Sequence, residues 1–250
     1  MQTHFFHSAS GLKLGFIKRE GNGPTLVWLC GYHSDFSGQK ASIMDEVAQD
    51  LGLASLRFDY SGTGTSQGVF EDGTITKWLN EALEIIKAKT DGDLILVGSS
   101  MGGWISLRLC QLLKQVKAMV LIAPAPDFTE DLMWDKFPQD VKDEINQNGF
   151  WLRPSPYDEN GYKVTKELID SGRENFVLRA PIKFNGPVHI LHGKNDADVP
   201  WERSPALMDN ITSPDITLTL IKNGDHRLSE PEDLKVLAQV LRNIIGKVQS

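Results

Sequence analysis

The sequence predicts an α/β protein with a mostly parallel sheet that is covered by helices on both faces. From residue 25 onward, short apolar runs alternate with stretches of helical periodicity, which is typical of parallel strands joined by crossover helices. The runs are continuously apolar, as expected for strands that are buried on both faces of the sheet. The length of 250 residues suits one large α/β domain better than two independent domains.

Each element follows from its own stretch of sequence. The predicted core strands are residues 25–30, 54–60, 94–98, 117–123, 188–192 and 216–221. The segments before residue 20 are compatible with an antiparallel hairpin at one edge of the sheet. Apolar residues at helical spacing mark two amphipathic helices, one at Ile75, Leu79, Leu83 and Ile86 and a final one at Leu234, Leu237, Leu241 and Ile244. Ser229 with Glu232 predicts a capping box at the start of the final helix.

The stretch 125–185 breaks the alternation of strands and helices. It is rich in charged and turn residues, and its large apolar residues include Leu132, Met133, Trp134, Phe137, Phe150 and Trp151. We therefore predict a single domain over residues 1–250, in which residues 125–185 form a helical cap inserted over the edge of the sheet.

The composition argues against several classes of protein. The net charge of −7 and the lack of a dense Lys/Arg run argue against nucleic-acid binding. The apolar stretches are too short to span a bilayer. Cys30 and Cys110 lie in apolar segments and are interpreted as core residues rather than a disulfide pair. No signal peptide is evident, so the expected location is the cytoplasm. The sequence does not indicate an oligomeric state.

The strongest functional signal is Gly98-Ser99-Ser100-Met101-Gly102, which lies between a predicted strand and a predicted helix. The G-x-S-x-G pattern in this context is typical of a nucleophile elbow. Because the turn is strained, a Cβ two residues before or after the serine would clash. The register selects Ser100 as the nucleophile, since Ser99 would put Val97 and Met101 at the glycine positions.

A catalytic serine needs an imidazole base, and the base needs a carboxylate that holds its tautomer. In chains with this elbow the order is Ser, acid, His. His226 is the histidine that follows every candidate acid, and it lies just past the last predicted strand. Asp196 and Asp198 both follow the preceding strand. We favour Asp196 as the acid and expect Asp198 to lie at the start of a helix. His192 is expected to be a structural turn residue.

An oxyanion hole needs two backbone N–H donors. Met101, directly after the serine, is expected to supply one, and Tyr32, in the loop after the first core strand, the other. We expect His33, Trp134 and Phe137 to contact the substrate. Two alternatives stay open: His33 has only a loop role, or the aromatic residues form a small core within the cap.

Several segments resemble one branch of the α/β-hydrolases. They are Gly31-Tyr32, Arg57-Phe58-Asp59-Tyr60-Ser61-Gly62, residues 97–104, His192-Gly193 with Asp196, Val199-Pro200-Trp201 and Asp225-His226-Arg227. The branch is that of palmitoyl-protein thioesterases and acyl-glucuronide esterases of the mitochondrial α/β-hydrolase domain-containing type. The resemblance covers nearly the whole chain and implies an α/β-hydrolase fold with a triad on Ser100, Asp196 and His226. The mitochondrial address is not carried over, because an Arg/Ser-rich leader is not evident.

Together these features predict a serine hydrolase that cleaves esters or thioesters through an acyl-enzyme. The expected substrate is a small molecule or an acylated protein with a medium to long or bulky acyl group, and no cofactor or metal is expected. A catalytically silent binding protein of the same fold is the alternative, although such proteins usually lose a triad member.

An NAD(P)-dependent reductase is a weaker alternative. It would use Gly62, Gly64 and Gly68 together with Tyr162 and Lys166. The glycine loop, however, runs into an acidic loop at residues 71–73 instead of a helix. A metal site is weaker still, because side chains three apart on a strand, as at residues 189 and 192, point to opposite faces.

Overall fold

The structure is a computed structural model, and it describes residues 2–155 and 158–249. Its strands are β1 (His4–His7), β2 (Lys13–Arg19), β3 (Thr25–Leu29), β4 (Ser55–Phe58), β5 (Leu94–Ser99), β6 (Val116–Ile122), β7 (Phe150–Ser155), β8 (Asp158–Thr165), β9 (Val188–Gly193) and β10 (Ile216–Ile221). Its α-helices are α1 (Gln39–Asp50), α2 (Ile75–Lys89), α3 (Met101–Leu112), α4 (Gln139–Asn148), α5 (Lys166–Glu174), α6 (Arg203–Asn210) and α7 (Pro231–Gln249).

One eight-stranded sheet runs through the molecule in the order β1-β2-β4-β3-β5-β6-β9-β10. β2 pairs antiparallel with β1 and β4, and the other neighbouring strands are parallel. The α/β class is therefore confirmed, and each predicted core strand occurs within two residues of its expected bounds. The edge hairpin before residue 20 is also present.

The core lies on both sides of the central strands. β3, β4 and β5 are buried along their whole length. Helices α1 and α7 pack against each other and on the sheet, and a second pair consists of α3, which lies on β3, β5 and β6, and α2, which packs against α3. Because the strands between them are buried on both faces, the two pairs cover opposite faces of the sheet.

The connections reverse direction at β3, which has β4 on one side and β5 on the other. Such a switch point opens a crevice at the carboxyl ends of the parallel strands. β3 ends next to Gly31 and Tyr32, and β5 ends next to Ser100. The topology therefore brings two of the predicted site segments to one edge of the sheet.

The cap differs from the prediction. Residues 125–185 contain a π-helical turn (Thr129–Met133), α4 and α5, but also the antiparallel hairpin β7–β8, so the cap is not wholly helical. Pro154 lies within β7, where the hairpin register shifts between Arg153 and Ser155. Proline is tolerated at such a bulge, because its missing N–H is not needed for the ladder there.

The predicted capping box of the final helix is wrong. α7 begins at Pro231, and the Asp233 carboxylate accepts a hydrogen bond from the Glu230 N–H at 3.3 Å. The Ser229 hydroxyl instead donates to a backbone carbonyl two residues earlier. Proline is preorganised for the first helical position, so the cap residue is Glu230 and its partner three residues on is Asp233 rather than Glu232.

Two further expectations concern the whole chain. Cys30 is buried, Cys110 is half-buried and both thiols are free, in agreement with their interpretation as unpaired residues of the interior. Among the described residues, no helix has the length and apolar character needed to cross a membrane.

Candidate active site

Ser100 occupies the sharp turn between β5 and α3, with φ of 54° and ψ of −115°. A non-glycine residue adopts a positive φ of this kind only where its surroundings fix the backbone. Here the Ser100 N–H donates to the Ile122 carbonyl at 2.9 Å, and the Ser100 carbonyl accepts from Gly103 at 2.9 Å and from Ala125 at 3.1 Å. The strained turn is thus held by backbone hydrogen bonds on both sides.

Glycine is required at both flanks of this turn. A Cβ on Gly98 would lie 2.3 Å from the Gly102 carbonyl oxygen and 2.4 Å from Ser106 Oγ. A Cβ on Gly102 would lie 1.9 Å from the Leu29 carbonyl oxygen. Helix α3 therefore packs so closely on β3 and β5 that only a hydrogen atom fits, which is the steric reason for the G-x-S-x-G spacing.

The structure brings Ser100, His226 and Asp196 into one hydrogen-bonded chain. His226 Nε2 lies 3.1 Å from Ser100 Oγ, and His226 Nδ1 lies 2.7 Å from Asp196 Oδ2. Since Nδ1 faces a carboxylate oxygen it carries the proton, and Nε2 is left to accept one. An imidazole in this state can take the proton of a serine hydroxyl as the oxygen attacks a carbonyl.

The loops that follow β9 and β10 place these two partners. The Asn195 N–H donates to the Gly224 carbonyl at 2.9 Å, which joins the loop carrying Asp196 to the loop carrying His226. A Cβ on Gly193 would lie 2.3 Å from the Gly224 carbonyl oxygen. Glycine at 193 therefore permits the backbone contact that sets the distance between the carboxylate and the imidazole.

The Asp196 side chain is completely buried. Burial alone would raise the pKa of Asp196, but hydrogen bonds from His192, His226 and the Val199 N–H outweigh it and hold the pKa well below its usual range. The carboxyl group is therefore an anion at neutral pH, as an orienting acid must be.

Asp198 does not begin a helix, contrary to our expectation. It is exposed in the turn after β9, and α6 begins only at Arg203. The Asp198 and Val199 N–H groups both donate to Asp196 Oδ1, at 2.9 and 2.8 Å. The chain is thereby wrapped around the Asp196 carboxylate, and the helix starts later.

His192 lies in β9 rather than in a turn, and its side chain is fully buried. Its Nε2 is 3.0 Å from Asp196 Oδ2, the same oxygen that His226 contacts. This contact could not be predicted from the sequence, because nothing in the local pattern distinguishes a buried strand histidine from one that faces a functional carboxylate.

The segment after β3 approaches the elbow closely. A Cβ on Gly31 would lie 3.3 Å from the Ser99 carbonyl oxygen and 3.4 Å from Ser100 Cβ. Within the described part of the chain, neither the Tyr32 N–H nor the Met101 N–H donates a hydrogen bond to a protein group. Met101 is the first residue of α3, where an N–H has no acceptor inside the helix. Both predicted oxyanion donors are thus unengaged.

Two cavities meet at Ser100 and His226. The small cavity has a volume of about 280 Å³, and its apolar lining consists of Ala125, Phe128, Leu132, Met133 and Val199. The large cleft has a volume of about 750 Å³, and its lining includes His33, Ser34, Lys40 and Arg227. Tyr32, Arg153, Tyr162 and Asp198 line both.

Some of the residues that line the two cavities were predicted from the sequence, and others were not. His33 lines the large cleft, with its ring 3.7 Å from that of Phe70, and burial lowers the pKa of His33. Its contact with the substrate stays a prediction. Arg153 and Tyr162 were missed because the β7–β8 hairpin that carries them was not predicted. Phe128 and Val199 carry no local signal that separates a cavity wall from ordinary core.

Trp134 and Phe137 do not line either cavity, so their predicted substrate contact is not supported. The Trp134 ring packs under the Arg173 guanidinium at 4.9 Å, and Phe137 packs edge-on against Trp151 at 5.2 Å. The turn at Thr129–Met133 directs Leu132 and Met133 toward the small cavity and the next residues away from it. Both rings therefore pack against other residues of the stretch 125–185.

We expect Trp134→Ala and Phe137→Ala to destabilise the protein by about 1–3 kcal/mol, because each removes a half-buried ring from the packing of the cap. Thermal unfolding of the purified variants measures this loss. The relative rates on esters of different acyl length should match the wild type. A flattened chain-length profile at unchanged stability would restore the original substrate-binding role.

The geometry does not favour an NAD(P)-dependent reductase. Lys166 pairs with Asp170 rather than with Tyr162, and a Cβ on Gly62 would lie 2.6 Å from the backbone of Phe70, so the glycine loop is closely packed. Neither feature suits a dinucleotide site.

A metal would have to displace an existing hydrogen bond. Among the described residues, Asp196, Asp198 and His226 offer metal-ligand atoms within 4.8 Å of one another. Asp196 Oδ2 and His226 Nδ1, however, already share a hydrogen bond at 2.7 Å. The three residues fit a proton-transfer chain better than a metal site.

The sequence also matches known proteins. The profile described as "Alpha/beta hydrolase family" matches residues 26–240. The chain belongs to this family. The α/β-hydrolase is 36% identical over 239 residues to the human protein named "Palmitoyl-protein thioesterase ABHD10, mitochondrial", a match that covers 95% of this chain and 78% of that protein.

Two solved structures are similar to this α/β-hydrolase over almost their whole length. Mouse α/β hydrolase domain-containing protein 10 superposes with a TM-score of 0.90 at 34% identity, covering 99% of this chain and 100% of that one. A chain from Agrobacterium vitis S4 superposes with a TM-score of 0.92 at 42% identity, covering 98% of each. The predicted branch of the family is therefore confirmed. The human relative's name places that protein in mitochondria, and the cytoplasmic location expected for this α/β-hydrolase stays a prediction.

Proposed function

We propose that this α/β-hydrolase is a serine hydrolase that cleaves carboxylic esters or thioesters through an acyl-enzyme intermediate. The observation that carries the proposal is the chain of contacts from Ser100 through His226 to the buried Asp196, at 3.1 and 2.7 Å, where two cavities meet. The name of the human relative, a thioesterase, supports the same class of reaction.

The proposed reaction assigns one role to each group. Ser100 Oγ attacks the acyl carbonyl while His226 Nε2 takes its proton, and the N–H groups of Tyr32 and Met101 stabilise the oxyanion. His226 then gives the proton to the leaving oxygen or sulfur. Water, activated by the same imidazole, releases the acid from Ser100. Throughout, the Asp196 carboxylate stabilises the positive charge on His226.

The two cavities suggest where the two parts of the substrate bind. We assign the acyl group to the small cavity, where Phe128, Leu132 and Met133 offer apolar side chains that the large cleft lacks. We assign the leaving group to the large cleft, which is lined by the cationic residues Lys40 and Arg227. Phe128, Leu132 and Met133 belong to residues 125–185 and line one cavity together with Ser100 and His226. This shared cavity supports the proposal that residues 125–185 form a cap within a single domain over residues 1–250. The volume of about 280 Å³ is near the lower end of the roughly 300–1,000 Å³ of ligand pockets, so a medium-length chain would fill it.

We expect kcat/KM to rise with acyl length, by about fourfold per methylene, until the small cavity is full. A series of p-nitrophenyl esters and of thioesters with one leaving group measures this profile. A maximum at acetyl with a steady fall thereafter would contradict the assignment of the small cavity to the acyl group.

A variant of the cavity wall sharpens this test. Met133 is buried and lines the small cavity, so Met133→Trp should move the maximum toward shorter chains. Met133→Leu is the matched control, because it conserves volume and should leave the maximum in place. If both variants keep the wild-type profile, the acyl chain lies elsewhere.

The class of reaction has its own test. A fluorophosphonate probe should label Ser100 in the wild type and fail to label Ser100→Ala. Absence of labelling in the folded wild type would instead support the catalytically silent binding protein.

A further inference from the structure

Asp196 receives more hydrogen bonds than a triad alone provides. Oδ1 accepts from the Asp198 and Val199 N–H groups, at 2.9 and 2.8 Å, and Oδ2 lies 2.7 Å from His226 Nδ1 and 3.0 Å from His192 Nε2. A carboxylate offers about four lone-pair directions, so its acceptor capacity is filled. One of these four donors is a second histidine that the proposed mechanism does not use.

The surroundings of His192 determine where its proton lies. Nε2 faces two acceptors, Asp196 Oδ2 at 3.0 Å and the Val199 carbonyl at 3.1 Å, so Nε2 must carry a hydrogen. Nδ1 lies 2.6 Å from Ser204 Oγ, and a hydroxyl can donate there. With its hydrogen on Nε2 and with Nδ1 accepting from Ser204, His192 satisfies every contact, and Ser204 is the group that stabilises this tautomer.

Burial makes this arrangement specific. The His192 side chain is fully buried, and Ser204 is 1% exposed on α6. The neighbouring cation on α6, Arg203, is directed away and binds Asp131 and the Pro126 carbonyl, both at the base of the cap. With little water available, hydrogen bonds of His192 cannot be replaced by solvent, so they control the orientation of the carboxylate.

We propose that His192 is a positioning residue for Asp196 and that Ser204 acts through His192 by holding its tautomer. The hydrogen-bonded chain then runs from Ser100 through His226, Asp196 and His192 to Ser204 on α6. His192 keeps Oδ2 directed at His226 Nδ1 and disperses the negative charge of the carboxylate, so that the Nδ1 proton stays on His226 when Nε2 takes the proton of Ser100. The inference rests on the proposed function of Ser100, His226 and Asp196.

The test compares kcat and KM of paired variants on one activated ester. His192→Leu removes the donor, and the loss of a hydrogen bond to a charged group should lower kcat about 10- to 100-fold with little change in KM. His192→Gln can place an amide N–H near the position of Nε2 and should recover most of that loss. His189→Gln is the matched control, because His189 lies on the same strand and bonds Thr219 at 2.9 Å; it should leave kcat and KM unchanged.

A double-mutant cycle tests the role of Ser204. Ser204→Ala should cause a smaller loss of kcat than His192→Leu, and the double variant should be no slower than His192→Leu alone, because Ser204 acts only through His192. The far-downfield proton resonance of His226 Nδ1–H should shift in His192→Leu and return in His192→Gln. A merely structural role of His192 would move thermal stability but not this resonance.

Several outcomes would overturn the inference. They are wild-type kcat in His192→Leu, equal losses in His192→Leu and His192→Gln, or additive losses in the cycle. If His192→Leu does not fold, the test rests on Ser204→Ala. An unchanged kcat of Ser204→Ala, together with an unchanged His226 Nδ1–H resonance, would reject a role for His192 and Ser204 in positioning Asp196. Failure of the proposed function is distinguished in the same assay, because then either the wild type is inactive or Ser100→Ala keeps its activity, whatever the state of His192.

Discussion

Replacing Ser100 with alanine is expected to abolish hydrolysis of esters and thioesters, a loss on the order of 10⁶-fold in kcat. The hydroxyl is the atom that would form the acyl-enzyme, and no neighbouring group in the hydrogen-bonded chain can take its place. Alanine adopts the positive φ of 54° about as poorly as serine does, so the fold should be retained. Steady-state kinetics on a p-nitrophenyl ester, together with thermal unfolding of the same sample, measures both effects.

Two further variants control this result. His226→Ala should lower kcat by a similar factor, and combining it with Ser100→Ala should add little, because the residues of a triad act as a unit. Ser99→Ala removes the adjacent hydroxyl, which is buried at the end of β5, and should retain most of the activity. If Ser99→Ala is inactive and Ser100→Ala is active, the register of the elbow has been assigned to the wrong serine.

Asp196→Asn is expected to lower kcat on the order of 10³- to 10⁴-fold by favouring the wrong imidazole tautomer. The geometry explains why. Oδ1 accepts two backbone N–H groups, so the amide oxygen of asparagine would take that position and its NH₂ group would face His226 Nδ1. His226 would then carry its proton on Nε2, which faces Ser100 Oγ. Nε2 could then no longer accept the serine proton.

Asp198→Asn is the matched control for the acid. Asp198 contributes its N–H, not its carboxylate, to the environment of Asp196, and that N–H is retained in the variant. Since the side chain lines both cavities, we expect a modest change in KM and a nearly unchanged kcat. The kcat values of Asp196→Asn and Asp198→Asn are compared on the same ester. A large loss in Asp198→Asn with a nearly unchanged kcat in Asp196→Asn would assign the role of the acid to Asp198.

Local sterics explain why the elbow could be located from the sequence. The clashes that exclude a side chain at Gly98 and Gly102 involve atoms of α3 and of the end of β3, elements that pack directly against the turn. The spacing of Gly98 and Gly102 in the sequence therefore indicates how closely α3 packs on the strands beside it. The order of Ser100, Asp196 and His226 could be predicted for a related reason, since each follows a strand whose carboxyl end must lie at the same edge of the sheet.

Side-chain direction within the cap could not be derived in this way. Leu132, Met133 and Trp134 are consecutive large apolar residues, and any of them could have faced the elbow. The π-helical turn at Thr129–Met133 decides that two line the small cavity, and the Arg173 guanidinium on α5 covers the third. These partners are distant in sequence, so no local pattern reports them.

By itself the sequence determined the α/β class, the core strands and the residues from which the proposed triad is drawn, because these depend on periodicity and on steric rules that act within a few residues. Only the tertiary structure decided that Arg153 and Tyr162 line the cavities, that α7 begins at Pro231, and that His192 meets the same oxygen of Asp196 as His226 does. Such contacts depend on how separate elements pack, and a buried polar group takes its partner from whatever the fold brings within hydrogen-bonding distance.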